Sequence, residues 1–194
     1  MKKLYEETDV QAIADAIRKK TGKTDKMKIA EMSGEIEGID TGYNIDDIAL
    51  KTISGDIFVT ANELKSYAFC LCYELTGITA PNVTKIGNLC FSNDTSLLRC
   101  DFSQSLTFND RCFYNCNCLT AFIMRSKELT QLSSNQVFQY SGISNGTGYI
   151  YVPSALVDSY KTATNWSVYA DQFRALEDYT VDGTTTGELD ESKI

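Results

Sequence analysis

The chain has 194 residues, 43% of them hydrophobic, and sets 18 Lys and Arg against 26 Asp and Glu for a formal charge of −8 and a pI near 4.6. Such an acidic chain lacks the basic face that phosphate backbones demand, so nucleic acid is excluded as a partner. It contains no histidine, which excludes Ser-His-Asp and Cys-His catalysis, zincin motifs and histidine-ligated metals.

The N-terminus, Met1 to Glu7, leads into no apolar signal core, and no run of about 18 apolar residues follows anywhere. The expectation is a chain that is neither secreted by that route nor inserted in a membrane. Its four Asn-x-Ser/Thr matches, at Asn82, Asn93, Asn145 and Asn165, are then expected to carry no glycan.

Residues 1–40 read as a separate helical hairpin. Thr8 and Gln11 make a capping-box pair ahead of Val10, Ile13, Ala14 and Ile17 on one helical face, and Gly22 ends the helix. A second short helix runs from Ile29 to Glu37, with Ile29, Met32 and Ile36 inward. Two helices this short cannot hide that apolar surface alone. Val10, Ile13, Ile17, Ile29, Met32 and Ile36 are therefore expected to mediate docking or oligomerisation. The competing reading is that they cap the rest of the fold.

Residues 40–44 read as a linker, and 45–60 as strand-like material forming a degenerate first coil. A repeat follows. Phe69, Phe91, Phe113 and Phe138 fall 22, 22 and 25 residues apart, each preceded by a slim residue (Ala68, Cys90, Cys112, Val137). Leu75, Leu97 and Leu119 follow the first three rings at a fixed offset, as do Ile78, Cys100 and Phe122, then Ala80, Phe102 and Met124. Leu64, Ile86 and Phe108 precede the same rings at a fixed offset. A constant period near 22 over several apolar columns is the signature of a solenoid. The segments from Leu75, Leu97 and Leu119 predict parallel strands, with Gly77 and Thr79, Arg99 and Asp101, and Ala121 and Ile123 pointing out from one sheet. Thr79, Arg99, Asp101, Ile123 and Arg125 are the candidate binding residues on that exposed face.

All seven cysteines lie inside the repeats, between Cys70 and Cys118. Cys90, Cys100 and Cys112 occupy columns shared with Ala68, Ile78 and Phe122, so core packing is the favoured reading. Disulfides or zinc, through Cys70 and Cys72 or Cys112 and Cys116, are the alternatives. Cys72 and Cys116 share a column two coils apart, about 10 Å if coils stack at a strand spacing, too far for a bridge.

After a loop at 141–148, residues 149–180 predict a closing cap. Tyr149 to Val152 form a strand, Pro153 and Ser154 start a helix to about Ala163, and Trp166, Val168, Tyr169 and Phe173 pack the far end. Residues 181–194, with three Thr and four acids, predict a disordered tail.

The motif from Tyr67 to Cys72, followed by Leu75, Ile78 and the Pro81-to-Gly87 connection, resembles the BspA-like class of leucine-rich repeats. So do Cys112 to Cys116 with Leu119, and the ending from Ile150 to Lys161 with Asn165 and Trp166. This resemblance covers about residues 60–178. It implies an α+β repeat protein: a short solenoid of parallel strands over 45–148, preceded by the helical hairpin and closed by the strand-helix cap over 149–180. The stretch from Asp9 to Gly22, with Lys28 to Met32 and Ile36 to Ile39, is similar to the start of tail and baseplate-associated proteins of phages infecting Gram-positive bacteria.

Together these resemblances imply a non-enzymatic virion protein, assembled in the host cytoplasm, without cofactor, catalytic residue or metal ligand. Residues 1–40 would dock to tail or baseplate proteins or to further copies of the chain, a trimer by analogy with tail attachment proteins. The sheet face or the 141–148 loop would touch a host-surface glycan or protein. The alternative is a cell-surface adhesin or an intracellular interaction scaffold of the same class.

Overall fold

A coil of this chain is built from two extended pieces and two turns, repeated every 22 residues. The computed structural model describes residues 53–194. The readings made for the 1–40 hairpin, including Val10, Ile13, Ile17, Ile29, Met32 and Ile36, and for the 40–44 linker lie outside the described residues, as do residues 45–52 of the first coil. In chain order the elements are β1 (Gly55–Phe58), β2 (Glu63–Leu64), β3 (Leu75–Ala80), β4 (Lys85–Ile86), β5 (Arg99–Phe102), β6 (Thr107–Phe108), β7 (Ala121–Met124), β8 (Tyr149–Val152), α1 (Val157–Thr162) and β9 (Phe173–Ala175).

The predicted solenoid of parallel strands is present. Six strands pair in the order β1-β3-β5-β7-β8-β9, all parallel. Gly77 faces Arg99 and Arg99 faces Ala121, so the register repeats the 22-residue period, and Ala121 then faces Tyr149 across a longer, 28-residue step. A second parallel sheet, β2-β4-β6, runs down the other side. The sequence marks its inward residues, Leu64, Ile86 and Phe108, as a column but not as strands. Two residues per strand are too few for an alternation to register.

The core between the sheets is built chiefly of apolar side chains. Leu75, Ile78, Ala80, Leu97, Cys100, Phe102, Leu119, Phe122 and Met124 are all buried. Phe69, Phe91, Phe113 and Phe138 stack face to face at 5.0, 5.0 and 5.3 Å between ring centroids. That interval is close to one strand spacing. Each buried ring supplies about 1.5–3 kcal/mol by transfer from water, and each ring pair adds about 0.5–1.5.

The ring turns have their own backbone ladder. Phe69 N–H donates to the Cys90 carbonyl, Phe91 to Cys112, and Phe113 to Val137, all within 2.9 Å. To aim these amides, each turn puts non-glycine residues in the left-handed region: Leu71, Asn93, Asn115 and Tyr140 share one column, and Tyr67, Leu89 and Arg111 another. A left-handed conformation costs an ordinary side chain about 1–2 kcal/mol, and Asn the least of them. At Asn93 and Asn115 the amides also form a rung, with Asn115 Nδ2 donating to Asn93 Oδ1 at 2.8 Å.

The cap's strand and helix fall where the sequence predicts, and Trp166, Tyr169 and Phe173 pack inward, but Val168 does not: it stands exposed on the outer side of the 3-10 turn at Ser167–Gln172. The tenth residue after Gly142's turn, Val152, ends β8, and a 3-10 turn at Ser154–Leu156 leads into α1. Trp166 is fully buried against Phe108, Phe138, Tyr160 and Phe173. Its indole N–H donates to the Thr130 carbonyl at 2.8 Å, and the Tyr160 hydroxyl accepts from the Thr130 amide at 3.0 Å. Those two bonds satisfy a backbone position where the wider fourth spacing provides no short strand.

One expectation fails in the fold itself. Residues 181–194 are not a disordered tail. Val181 N–H donates to Glu188 O at 2.9 Å and Asp190 N–H to Tyr179 O at 2.8 Å, around an antiparallel bridge between Thr180 and Leu189. The polar composition hides two devices. Asp182 accepts from the amide and hydroxyl of Thr184 at 3.0 and 2.9 Å, which sets the turn and lowers the Asp182 pKa. Leu189 is an apolar anchor that leaves water on the sheet.

Candidate interaction face

The strand alternation sends two columns outward from the six-stranded sheet. One carries Asp56, Gly77, Arg99, Ala121 and Tyr149, and the other Phe58, Thr79, Asp101, Ile123, Tyr151 and Arg174. The outward direction of the candidate residues is therefore as the sequence implies. Their exposure is not. Asp101 is buried and Ile123 fully so, because the C-terminal segment lies over them as a strap.

Leu189 is the strap's anchor. It packs with Ala121, Ile123, Tyr151 and Leu176, and Tyr179 borders the cluster. Tyr151 meets Tyr179 edge to face at 4.9 Å. Burial, then the neighbouring Tyr179, pushes the Tyr151 hydroxyl up to about 12. The covering is apolar on apolar: Ala121 and Ile123 are outward residues that no polar surface strand would carry in series, and that was the signal in the sequence for a covering element.

Arg125 is the strap's polar clasp. Its Nε and Nη2 donate to the two carboxylate oxygens of Asp101, each at 2.8 Å, while Nη1 donates to the carbonyls of Thr185 and Gly187 at 2.8 and 2.9 Å. Both partners are only 12% exposed at the side chain. A planar guanidinium alone can serve three directions at once. A Cβ at Gly187 would meet the exposed Asp182 carboxylate, which would have to turn aside.

Arg99 sits half-buried at the boundary of the covered region. It reaches Glu191 of the strap on one side and Asp56 of β1 at 3.4 Å on the other. Thr76 Oγ1 also donates to Asp56 at 2.7 Å. Beyond Arg99 the strap ends and the face opens. Thr79 is half-buried, and Phe58 is 49% exposed. Between strap and sheet lies an open cleft of about 450 Å³ lined by Thr79, Asp101, Ser103, Arg125, Gly187 and Glu188, among others. The cleft thus gathers Thr79, Asp101 and Arg125, leaves Arg99 outside its lining on the same sheet face, and leaves Ile123 buried under the strap. In the 141–148 loop, Ser141, Gly142 and Ile143 are buried and only 144–147 stand in solvent.

The cysteines are core residues for the most part. Cys72, Cys90, Cys100, Cys112 and Cys116 are buried, Cys70 is half-buried and Cys118 exposed. Cys116 Sγ donates to the Phe91 carbonyl at 2.9 Å, and Cys112 Sγ to Asn109 O at the same distance. Burial pushes the Cys112 thiol up to about 12 and those of Cys90, Cys100 and Cys116 well up. Such thiols are poor nucleophiles and poor metal ligands.

One buried group was missed from the sequence. Asp94 stands in the column of Cys72 and Cys116 and is fully buried. Its Oδ1 accepts from the Cys72 amide at 2.8 Å, while Oδ2 has no partner. Burial, only partly opposed by amide hydrogen bonds from Cys72 and Leu71, pushes its pKa up to about 9. The 22-residue alignment contained the signal: a carboxylate in a column of slim apolar side chains.

Among the described residues no helix is long and apolar enough to cross a membrane. Residues 45–153 match the model of a family described as the BspA type leucine-rich repeat region, in six copies. No curated protein matches the chain.

Proposed function

The chain belongs to the BspA-type leucine-rich repeat family, and from that premise we propose that it is a non-enzymatic recognition protein that binds through the outer face of its long parallel sheet. The observation that carries this reading is the asymmetry of that face. Its β7–β8 side is sealed by the strap, and its β1–β3 side is open, with the exposed Phe58 opposite the half-buried Thr79; Arg99, on β5 in the other outward column, stands at the boundary between the two. A rigid ladder that carries an exposed aromatic ring at its open edge and a half-buried guanidinium at the inner boundary of that open surface has the composition of an interface centre.

In its finer form the proposal places the protein in a virion, at the tail or baseplate, displaying the solenoid toward a host-surface glycan or protein. The likeness of the Asp9-to-Ile39 stretch to phage tail proteins supports it. Residues 1–40 then dock to the virion or to further copies of the chain. The adhesin reading draws on the family itself and places the same face on a cell envelope.

Immunogold electron microscopy with antibody to this chain separates the two. Gold at the tail tips of particles induced from the source strain supports the virion reading. Gold on the envelope of uninduced cells replaces it with the adhesin reading. For the face, Phe58→Asp in the full chain is expected to reduce binding to target cells at least tenfold without lowering the melting temperature. Undiminished binding by that variant rules the face out.

A further inference from the structure

The strap is a ligand that the sheet already holds. We infer that the groove under it accepts, from another molecule, an extended acidic chain segment with one aliphatic anchor, and that the protein's own C-terminal segment occupies this groove as a tethered competitor. The inference rests on the reading of the sheet's outer face as the recognition surface and names the chemistry of its partner.

Three features of the seated segment define that chemistry. The anchor is Leu189, whose socket of Ala121, Ile123 and Tyr151 is supplied by the strands rather than by the strap. The main-chain carbonyls at 185 and 187 are read by Arg125, so that contact is indifferent to side chains and available to any chain running the same way. The charge is read by Arg99 on Glu191. Arg99, Arg125 and Arg174 all belong to this outer face, in a chain whose formal charge is −8. The same face carries Asp56 and Asp101, which pair with Arg99 and Arg125, so the preference for an acidic segment rests on Arg99, which meets Glu191 of the strap.

The strap is also built to be displaced. It follows Thr180, and Val181 to Thr184 stand exposed. It is held to the sheet by one aliphatic side chain, one arginine clasp and one exposed ion pair, and to the residues before it by the main-chain bonds of Val181 to Glu188 and of Asp190 to Tyr179. Tethering raises its effective concentration to about the millimolar range for a short linker, so an incoming segment prevails when it repeats the anchor and adds contacts on the open β1–β3 side.

The test uses the full chain with a protease site inserted after Gly183, where the backbone is exposed and no neighbour lies within 4 Å of an added Cβ. After cleavage, a fluorescent peptide of residues 184–194 is titrated by anisotropy, beside the same peptide carrying Leu189→Asp. The expected result is uptake of the first peptide by the nicked chain, at least tenfold weaker uptake of the second, weakening of both by salt, and no uptake by the uncut chain. A full chain carrying Leu189→Asp gives the same reading without a cut. The inference is overturned if neither protein takes up the peptide, if both peptides bind alike, or if the uncut chain binds as well as the nicked one. It is also overturned if both altered proteins fail to fold, since the segment is then an integral part of the core. Peptide uptake with Phe58→Asp still binding cells leaves the groove standing and removes the face from the proposed function; the converse pair of results does the opposite.

Discussion

Arg125 and Asp101 lie on neighbouring strands and are joined by two parallel hydrogen bonds of 2.8 Å, yet the pair's purpose is a third body. With its carboxylate side fixed, the guanidinium turns its remaining amino group toward the carbonyls of the strap.

Removing the clasp leaves Asp101 buried without its counter-charge. Arg125→Met is expected to destabilise the protein by roughly 3 kcal/mol, in the range for breaking one side of a buried pair. It should also raise the rate at which a protease cuts after residue 180. Urea unfolding and limited proteolysis check the two effects. An unchanged cleavage rate removes the clasp from the account.

The phenylalanine column sets the stability of the stack. Phe91 lies between Phe69 and Phe113 at 5.0 Å from each. Phe91→Ala is expected to cost about 3–5 kcal/mol, the transfer loss plus the cavity left in a rigid coil. Urea unfolding measures it, and a loss under 1 kcal/mol contradicts the packing.

The left-handed column predicts opposite signs at aligned positions. Leu71 and Asn93 share that conformation, with φ of 66° and 65°. Leu71→Asn is expected to stabilise by about 0.5–1 kcal/mol and to lengthen the amide rung. Asn93→Leu is expected to destabilise by about 1–2 kcal/mol, adding strain and leaving Asn115 without its acceptor. Thermal melts of the two variants should move in opposite directions.

Asp94 makes stability depend on pH. Its folded pKa of about 9 lies above the ordinary carboxylate value of 3.8. The unfolded chain then releases this proton near pH 4 and the folded chain keeps it until about pH 9. The contribution is fully present below pH 4 and is lost as pH rises to about 9, by up to about 1.4 kcal/mol per pH unit. Asp94→Asn removes the titration. The variant is expected to gain on the native protein steadily from pH 5 to pH 8 in urea unfolding; a gap that does not change with pH contradicts the assignment.

Much of this molecule was legible because its period is enforced by geometry. A parallel ladder demands equal coils, so Phe69, Phe91 and Phe113 had to recur at a fixed interval, and the sheet, the stack and the cysteine columns followed. Elements that do not repeat were harder to read. The strap occurs once, is polar over most of its length, and is held by a single leucine and by backbone carbonyls, which leave no trace in side-chain pattern. Its one trace lay in the partner, where Ala121 and Ile123 face outward on a strand that should meet water. Asp94 was visible only as a mismatch within its column. The short second sheet was hidden by length alone.

The central claim is that the C-terminal segment is seated on the sheet's outer face. Amide hydrogen exchange of the full chain, followed by NMR at Val181 and Asp190, tests it most directly. The Val181 amide donates to Glu188 within the strap and the Asp190 amide to Tyr179 just before it, and both should exchange at least a hundredfold more slowly than free peptide. In Leu189→Asp that protection should vanish while the amides of β5 and β7 keep theirs. Exchange of Val181 and Asp190 at free-peptide rates in the native protein would contradict the account.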